Sequence, residues 1–297
     1  MKISLPSIVC LCILGLITAS SCLPQEYTAH GGPFGYRLDA PDTSYRLAAD
    51  LQEISGLSWL EEGRLLCIQD EKALLYTFDL ASGSVTGKTD FGQNKDYEGV
   101  EIVPGGDVWV LESDGDLYRF AYGSKEKPEA EKYETDLSSD NDVEGLGYVP
   151  ATHQLLLACK ADAEHKDSKN YKGKAIYAFD IGEEKLREEP VLIIEDSKMA
   201  TFLNEDADRA VEFNPSAIAW HPTEHLFYIL SSAGKKLVVA DSEGDIKQLI
   251  YLPAAMFPQP EGICFAPDGT MFIANEGKAG RATILIFKYK PPKNTEK

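Results

Sequence analysis

The segment Asp96-Tyr97-Glu98-Gly99-Val100 has four counterparts elsewhere in the 297-residue chain. Each counterpart has a polar residue, any residue, Glu or Ser, Gly or Ala, and then an apolar residue that begins a strand-like run. The counterparts are Glu53–Leu57, Asp142–Leu146, Asn214–Ile218 and Gln259–Ile263. Their small fourth residues, at positions 56, 99, 145, 217 and 262, lie 43, 46, 72 and 45 residues apart. A period of about 45 residues with four strands per unit is the sequence signature of a β-propeller.

Alternating apolar residues and turn residues predict the strands that follow each segment. Four repeats have room for four strands, whereas the last, from Gly262 to Tyr289, has room for three. The run Tyr45–Leu51 can supply the missing strand and close the ring, which removes its open edges. We therefore predict an all-β, five-bladed β-propeller in which an N-terminal strand completes the last blade.

A six-bladed ring is the alternative, with a degenerate unit hidden in the longest interval. That interval is too short for an extra blade of roughly 40–45 residues. It divides instead into two insertions, near residues 161–174 and 195–213, and the second contains a predicted short helix, Ser197–Asn204. Five blades are the better prediction.

The first 22 residues form a targeting segment. Lys2 precedes an apolar stretch of signal-peptide length, which is too short to cross a membrane as a helix. The stretch ends in Ala19-Ser20-Ser21-Cys22, and small residues before a cysteine resemble a bacterial lipobox. We predict that Cys22 is lipidated, and ordinary signal peptidase cleavage of the same bond is the alternative.

These boundaries divide the chain into four parts. The predicted parts are a signal peptide (1–21), a lipidated cysteine with a tether (22–43), the β-propeller (44–291) and a C-terminal tail (292–297). A lipid anchor would hold the protein on a membrane of the bacterial cell envelope. The sequence leaves open which membrane and which face.

The chain is strongly acidic, with a formal net charge of −19. A protein this acidic repels nucleic acid and attracts cations, so nucleic acid is excluded as a partner. The cysteines of the predicted propeller, Cys67, Cys159 and Cys264, lie in apolar runs and are predicted to be buried free thiols. The two histidines of His221–His225 are predicted to lie on the surface, in a turn at the opposite face from the repeated segments.

The repeated segments place acidic residues at equivalent points of one ring. In a propeller, the first strand of each blade lines the channel and the second runs antiparallel to it, so the start of one and the end of the other share a face. The starts of the first strands carry Ser55, Glu98, Glu144, Ser216 and Glu261, and the ends of the second strands carry Asp70, Glu112, Lys160, Ser231 and Glu276. Three glutamates at ~6 Å would repel by about 3 kcal/mol per pair at an effective dielectric constant of ~20. Such a ring must raise a pKa, recruit Lys160 or bind a cation.

Oxygen ligands without histidine or thiolate favour Ca²⁺ or Mg²⁺, and Ca²⁺ suits a wide, flexible site better. We predict a Ca²⁺ site formed by Glu98, Glu144 and Glu261. Further candidates around the channel mouth are Asp70, Glu112, Lys160 and Glu276. The alternative is that each glutamate accepts backbone N–H bonds from the next blade and only staples the ring.

The motifs around these glutamates resemble the SdiA-regulated protein family over about residues 44–290. The resemblance rests on Asp96–Glu101, Val143–Tyr148 with Lys160 after the second strand, Ser216–Trp220 with Leu230–Ser232, and Pro260–Ile263 with Asn275-Glu276. It implies a five-bladed propeller, an envelope location, a calcium site, and distant kinship with NHL-repeat and esterase-like phytase propellers. Carried over by position, it implies Glu98, Glu144 and Glu261 as metal ligands, with Glu112, Lys160 and Glu276 around them. Ser55 and Ser216 stand at the other two ring positions.

Three functions fit these features. The first is a calcium-binding module of the envelope that binds or scaffolds an unidentified small molecule or protein, favoured because no nucleophile–base pair is found. The second is a metal-dependent hydrolase of phosphoesters or lactones, with Glu112 or Asp70 as the base. The third is a structural ring whose glutamates hold no metal.

Overall fold

A computed structural model describes residues 28–31, 34–124, 127–161, 173–278 and 280–292. Its strands, in chain order, are β1 (Thr28–Gly31), β2 (Thr43–Arg46), β3 (Ile54–Glu61), β4 (Arg64–Gln69), β5 (Leu74–Asp79), β6 (Ser84–Asp90), β7 (Tyr97–Ile102), β8 (Asp107–Glu112), β9 (Leu117–Ala121), β10 (Glu131–Tyr133), β11 (Val143–Val149), β12 (Gln154–Cys159), β13 (Gly173–Asp180), β14 (Lys185–Leu186), β15 (Leu192–Glu195), β16 (Pro215–Trp220), β17 (Phe227–Ser231), β18 (Lys236–Ala240), β19 (Ile246–Tyr251), β20 (Pro260–Phe265), β21 (Met271–Asn275) and β22 (Thr283–Phe287). A 3₁₀ helix spans Ala49–Leu51, and α1 spans Asp196–Phe202. Cys22, the predicted lipidation site, lies outside the described residues.

The strands form five antiparallel sheets, which are the blades of a β-propeller. From the channel outwards, the blades are β3-β4-β5-β6, β7-β8-β9-β10, β11-β12-β13 with β14 and β15, β16-β17-β18-β19-β1, and β20-β21-β22-β2. The inner strands contact one another in chain order, and β20 contacts β3, so the ring closes. The predicted five-bladed propeller is confirmed.

The last blade is completed by an N-terminal strand, as predicted. Strand β2 pairs antiparallel with β22, with Thr43 opposite Ile286 and Arg46 opposite Thr283. The observed strand ends before the predicted Tyr45–Leu51 run does, and the next residue, Leu47, is buried in the core and donates its backbone N–H to the Ala282 carbonyl at 2.8 Å. The 3₁₀ helix Ala49–Leu51 then leads into the first blade.

The prediction that residues 22–43 are only a tether is wrong for part of that segment. Strand β1 pairs with β19 and forms a fifth, outermost strand of the fourth blade. Tyr36 and Leu38 are buried between the fourth and fifth blades. Glycine and proline in this segment suggested a flexible chain, but its apolar residues bury their side chains against the ring.

His221 is buried, so its predicted surface position is also wrong. The Tyr36 hydroxyl donates to the Gly269 carbonyl and lies 2.6 Å from His221 Nε2. Nδ1 of His221 accepts the backbone N–H of Glu224 at 3.0 Å. Burial lowers the pKa of His221 to about 4, so its imidazole is neutral. The imidazole joins the N-terminal segment to the fourth blade.

The hydrophobic core lies between the blades as five separate clusters. Each cluster includes the apolar residue that follows the small residue of one repeat, and these residues are Leu57, Val100, Leu146, Ile218 and Ile263. The three cysteines are buried free thiols, as predicted, and burial raises the pKa of Cys67 and Cys159 to about 12. Because each cluster joins two neighbouring blades, the whole core is buried only when the ring of blades is closed.

The second insertion of the third blade contains the predicted helix. Helix α1 buries Met199 and Ala200 in the cluster between the third and fourth blades. The first insertion falls mostly in residues 162–172, which are outside the described ranges. No helix in the described ranges is long and apolar enough to cross a membrane.

Candidate metal centre

Every inner strand begins with a β-bulge at the same place. In each blade, the pairing register between the first and second strands skips one residue of the first strand. The skipped residues are Ser55, Glu98, Glu144, Ser216 and Glu261. The extra residue of a bulge has no partner in the ladder, and the bulge re-aims its side chain. The five bulges therefore set these side chains around the upper mouth, which we define as the end of the channel where the inner strands begin.

The small residues after the bulges fit the close approach of neighbouring inner strands. A Cβ atom on Gly99 would lie 2.4 Å from Leu146 Cβ. A Cβ atom on Gly145 would lie 2.9 Å from Ala158 Cβ and 3.2 Å from the carbonyl carbon of Ala217. The repeated glycine seen in the sequence is thus the residue that lets five strands converge on one axis.

The three predicted glutamates come together at the upper mouth. Glu98, Glu144 and Glu261 line one small cavity of about 10 Å³, together with Ser55. This space corresponds to about one water-sized sphere. The three predicted glutamates therefore share one cavity with the size of a single ion or water molecule, although they are not among the described groups whose carboxylate oxygens all lie within 4.8 Å of one another.

Two of the glutamates have strongly perturbed pKa values. Burial, followed by repulsion from Glu144, raises the pKa of Glu98 to about 9. The same two causes raise the pKa of Glu261 to about 7, although hydrogen bonds to the side chains of Gln259 and Ser232 oppose the rise. Among the described residues, Glu98 has neither a hydrogen bond nor an ion pair, so nothing there would compensate the charge of its ionised form.

Glu144 is the compensated member of the ring. Its carboxylate forms a close ion pair with the ammonium group of Lys160, which also lies 3.7 Å from Asp142 Oδ2. Burial raises the pKa of Glu144, and the bond to Lys160 opposes that rise. Lys160, predicted near the channel mouth, therefore neutralises one of the three acids.

Hydrogen bonds that staple neighbouring blades come from the serines of the ring. Ser55 Oγ donates to the Tyr97 carbonyl at 2.7 Å, and Ser216 Oγ donates to the Pro260 carbonyl at 2.7 Å. No backbone N–H of the described residues donates to the three glutamates. The staple interpretation thus fits the two serines and not the three glutamates.

Asp70 and Glu276 lie beside the ring. Oδ1 of Asp70 is buried without a hydrogen-bond partner in the structure. Burial, then repulsion from Glu53 and Glu276, raises the pKa of Asp70 to about 6. Burial also raises the pKa of Glu276, whose carboxylate accepts a close hydrogen bond from Gln259. Asp70 in turn repels Glu98, so a second acid without a counter-charge borders the centre.

Glu112 belongs to a different acidic group, at the turn between β8 and β9. With Asp114 and Asp116 it forms the one group in the described ranges whose ligand atoms all lie within 4.8 Å of one another, and this group could hold a metal ion. Lys95 Nζ lies 2.8 and 2.7 Å from the two Glu112 oxygens, and Lys132 Nζ lies 2.6 Å from Asp116. The acids at alternate positions 112, 114 and 116 were the signal for a cluster.

The sequence profile of the family described as SdiA-regulated matches residues 37–279, which is most of the chain. The chain belongs to the SdiA-regulated family. Comparison with curated protein sequences gives no match.

Several solved β-propeller structures are similar in fold. Glutaminyl cyclase from Myxococcus xanthus is 13% identical, with a TM-score of 0.53 over 84% of this chain and 96% of that one. The PQQ-bound aldose sugar dehydrogenase from Streptomyces coelicolor is 12% identical, with a TM-score of 0.52 over 90% of this chain and 100% of that one. A gluconolactonase from Xanthomonas campestris is 13% identical, with a TM-score of 0.50 over 80% of this chain and 72% of that one. At these identities, the similarity shows the fold alone.

Proposed function

We propose that this SdiA-regulated protein is a calcium-binding β-propeller of the bacterial envelope, anchored through Cys22, that acts as a binding or scaffold module. The proposal rests on the burial, the raised pKa and the neighbours of the Glu98 carboxyl. This carboxyl is recessed, its pKa is raised to about 9, and it shares a small cavity with Glu144 and Glu261. A divalent cation in that cavity would keep the carboxylates ionised and remove their mutual repulsion.

The chemistry of the donors fits calcium. Of the described residues, the polar side chains that line the cavity offer oxygen atoms only, and no histidine is among them. Hard oxygen ligands favour Ca²⁺ and Mg²⁺ over zinc or copper. The buried Oδ1 atom of Asp70 adds a nearby oxygen that has no hydrogen-bond partner. The group at Glu112 is the competing site, but Lys95 already pairs with Glu112 and Lys132 with Asp116.

Calcium titration of two matched variants tests the proposal and separates the two acidic groups. We expect the melting temperature of the protein to rise with calcium, because a ligand at 100 times its Kd stabilises the folded state by about 2.7 kcal/mol. Glu98→Gln should remove most of this rise, whereas Asp114→Asn, in the turn between β8 and β9, should retain it. The reverse result would move the metal to that turn and refute the ring as a calcium site.

Anchoring is a separate part of the proposal with its own test. If Cys22 carries the lipid, Cys22→Ala should move the protein from the membrane fraction to the soluble fraction of cells. Ordinary signal peptide cleavage predicts a soluble protein in both cases. The mass of the mature N-terminus distinguishes the two outcomes directly.

A metal-dependent hydrolase remains the second candidate because of Asp70. A carboxylate with a pKa of about 6 beside the candidate centre is suited to act as a general base near neutral pH. Glu112 is not suited, because both of its oxygens contact Lys95. A panel of phosphoesters and lactones, assayed with and without chelator, tests this function. Turnover that chelator and Asp70→Asn both abolish would establish it, and its absence would leave the binding module.

A further inference from the structure

A much larger cavity opens at the lower mouth, where the inner strands end. Its volume is about 680 Å³, and it shares no lining residue with the glutamate ring. This volume lies within the range of roughly 300–1,000 Å³ that is usual for small-molecule pockets. The lower mouth therefore has the dimensions of a ligand site that is separate from the candidate metal centre.

The walls of this pocket follow the same fivefold repeat as the ring. The fourth residue after each bulge is aromatic in four blades and aliphatic in one, and these residues are Trp59, Ile102, Tyr148, Trp220 and Phe265. The sixth residue is proline in four blades, at Pro104, Pro150, Pro222 and Pro267. Proline fixes its own backbone angle, so the rim of the pocket is preorganised.

One side chain at the base of the pocket departs from this apolar pattern. The third residue after the bulge is small in four blades, as Ser58, Gly147, Ala219 and Cys264, but is Glu101 in the second blade. Ser58 Oγ donates to Glu101 Oε2 at 2.7 Å. Burial raises the pKa of Glu101 to about 8, although bonds to Ser58 and to the Tyr148 backbone oppose the rise. Among the described residues, no lysine or arginine lines the pocket.

We propose that the lower mouth binds a small hydrophobic amine, whose apolar body fills the aromatic pocket and whose ammonium group pairs with Glu101. An anionic ligand would meet this carboxylate with no cationic side chain in the lining. A purely apolar ligand would bury the Glu101 carboxyl further without a partner, which costs free energy. An ammonium group compensates the carboxylate and is also attracted to the faces of tryptophan and tyrosine rings.

Binding should depend on pH in a defined direction. An ammonium ligand requires ionised Glu101, so its affinity should increase as the pH rises toward the pKa of about 8 and then level off. Proton linkage with this pKa gives an increase on the order of 50-fold between about pH 6 and pH 8. Tyr148 and Cys264 also face Glu101, but their pKa values are raised, so they stay neutral in this range. His225 also lines the rim, so His225→Asn serves as the background control for the pH profile.

The experiment compares phenethylamine, 2-phenylethanol and phenylacetate as probes of the full protein. Trp59 and Trp220, two of its three tryptophans, line the pocket, so quenching of their fluorescence reports occupancy. At about pH 8 we expect the amine to bind at least roughly tenfold more tightly than the alcohol, in the range of a charge-assisted bond, and phenylacetate not to bind. Chelator should leave these affinities unchanged, because the two mouths are separate.

Glu101→Gln keeps the size of the side chain and isolates its charge. We expect this variant to bind the amine no better than the alcohol and to lose the pH dependence. The matched control is Glu61→Gln, which removes an acid that lies outside the pocket lining and pairs with Arg64; it should bind like the unmodified protein. Equal binding of amine and alcohol, a flat pH profile, an unaffected Glu101→Gln variant, or no saturable binding at millimolar concentration would each overturn the proposal.

Discussion

The two mouths of the channel are made from the same five strands, yet they offer opposite environments. At the upper mouth, three bulged glutamates enclose about 10 Å³, so charge is crowded and apolar surface is scarce. At the lower mouth, aromatic and proline side chains enclose about 680 Å³ around a single acid, Glu101. The small residues after the bulges lie between the two mouths, where neighbouring inner strands approach one another closely. A position's distance from that small residue thus determines whether its side chain enters a polar or an apolar site.

The largest loss of stability is expected from a substitution at one of the small residues that lie between the two mouths. Gly99→Ala places a methyl group 2.4 Å from Leu146 Cβ, where no real Cβ atom fits without a shift of the backbone. Overpacking of this kind typically costs about 1–3 kcal/mol, and a backbone shift that disturbs two blades should put this variant at or above the upper end. Urea unfolding monitored by tryptophan fluorescence measures the loss.

Gly262→Ala is the matched control for that variant. A Cβ atom on Gly262 would lie 3.0 Å from Leu57 Cδ2, which is the end of a side chain that can rotate away. We therefore expect a smaller loss than for Gly99→Ala. Equal losses in the two variants would mean that close approach of the backbones is not what requires glycine at the ring.

The next largest effect concerns charge at the upper mouth. The pKa values of Glu98 and Glu261 are raised to about 9 and about 7, well above their unfolded values. An acid whose folded pKa is raised stabilises the protein fully below its unfolded pKa, and that stability is lost as the pH rises through the folded pKa. In chelator, the melting temperature should therefore fall between about pH 5 and pH 9.

Excess calcium should flatten this profile, because a bound cation holds the carboxylates ionised in the folded state. Glu98→Gln should reduce the slope in chelator, since the amide does not titrate. A melting temperature that rises over the same interval in chelator would contradict the assigned charge states of the ring.

Much of the upper mouth could be predicted from the sequence, because its residues stand at a fixed place in a visible repeat. The polar–x–Glu–Gly pattern located Glu98, Glu144 and Glu261, and the structure places all three on one cavity. The bulges could not be predicted, because a skipped residue leaves no mark on the alternation of a short strand. The sequence also could not show that Lys160 pairs with Glu144 while Glu98 has no described partner. Those contacts depend on where the side chains lie in the folded ring.

The lower mouth was missed for a different reason. Its aromatic residues and prolines recur at the fourth and sixth positions after each bulge, but such residues also fit a strand core and a turn. Burial of His221 was missed because its partner, Tyr36, comes from a segment 185 residues away. Contacts made by a non-repeating segment cannot be inferred from the repeat.

A smaller effect is expected where that N-terminal segment meets the ring near the lower mouth. Tyr36→Phe removes the hydroxyl group that contacts both His221 Nε2 and the Gly269 carbonyl at 2.6 Å. Loss of a buried hydrogen bond that leaves partners unsatisfied costs about 1–3 kcal/mol. Thermal unfolding should show that the free energy of unfolding decreases by this amount, and the rise of the melting temperature with calcium should be unchanged. No decrease would indicate that residues 34–43 only lie against the ring without stabilising it.

The smallest effect should come from the serines of the upper mouth and should distinguish them from the glutamates. Ser216→Ala removes one hydroxyl bond to the Pro260 carbonyl, so it should lower the free energy of unfolding by about 1 kcal/mol. Calcium affinity should change by less than roughly twofold, a difference of under about 0.5 kcal/mol. Ser55→Ala should behave similarly at the Tyr97 carbonyl. If either serine variant weakened calcium binding as much as Glu98→Gln, the ring would act as one five-membered ligand set, and the assignment of staples and ligands to different residues would be wrong.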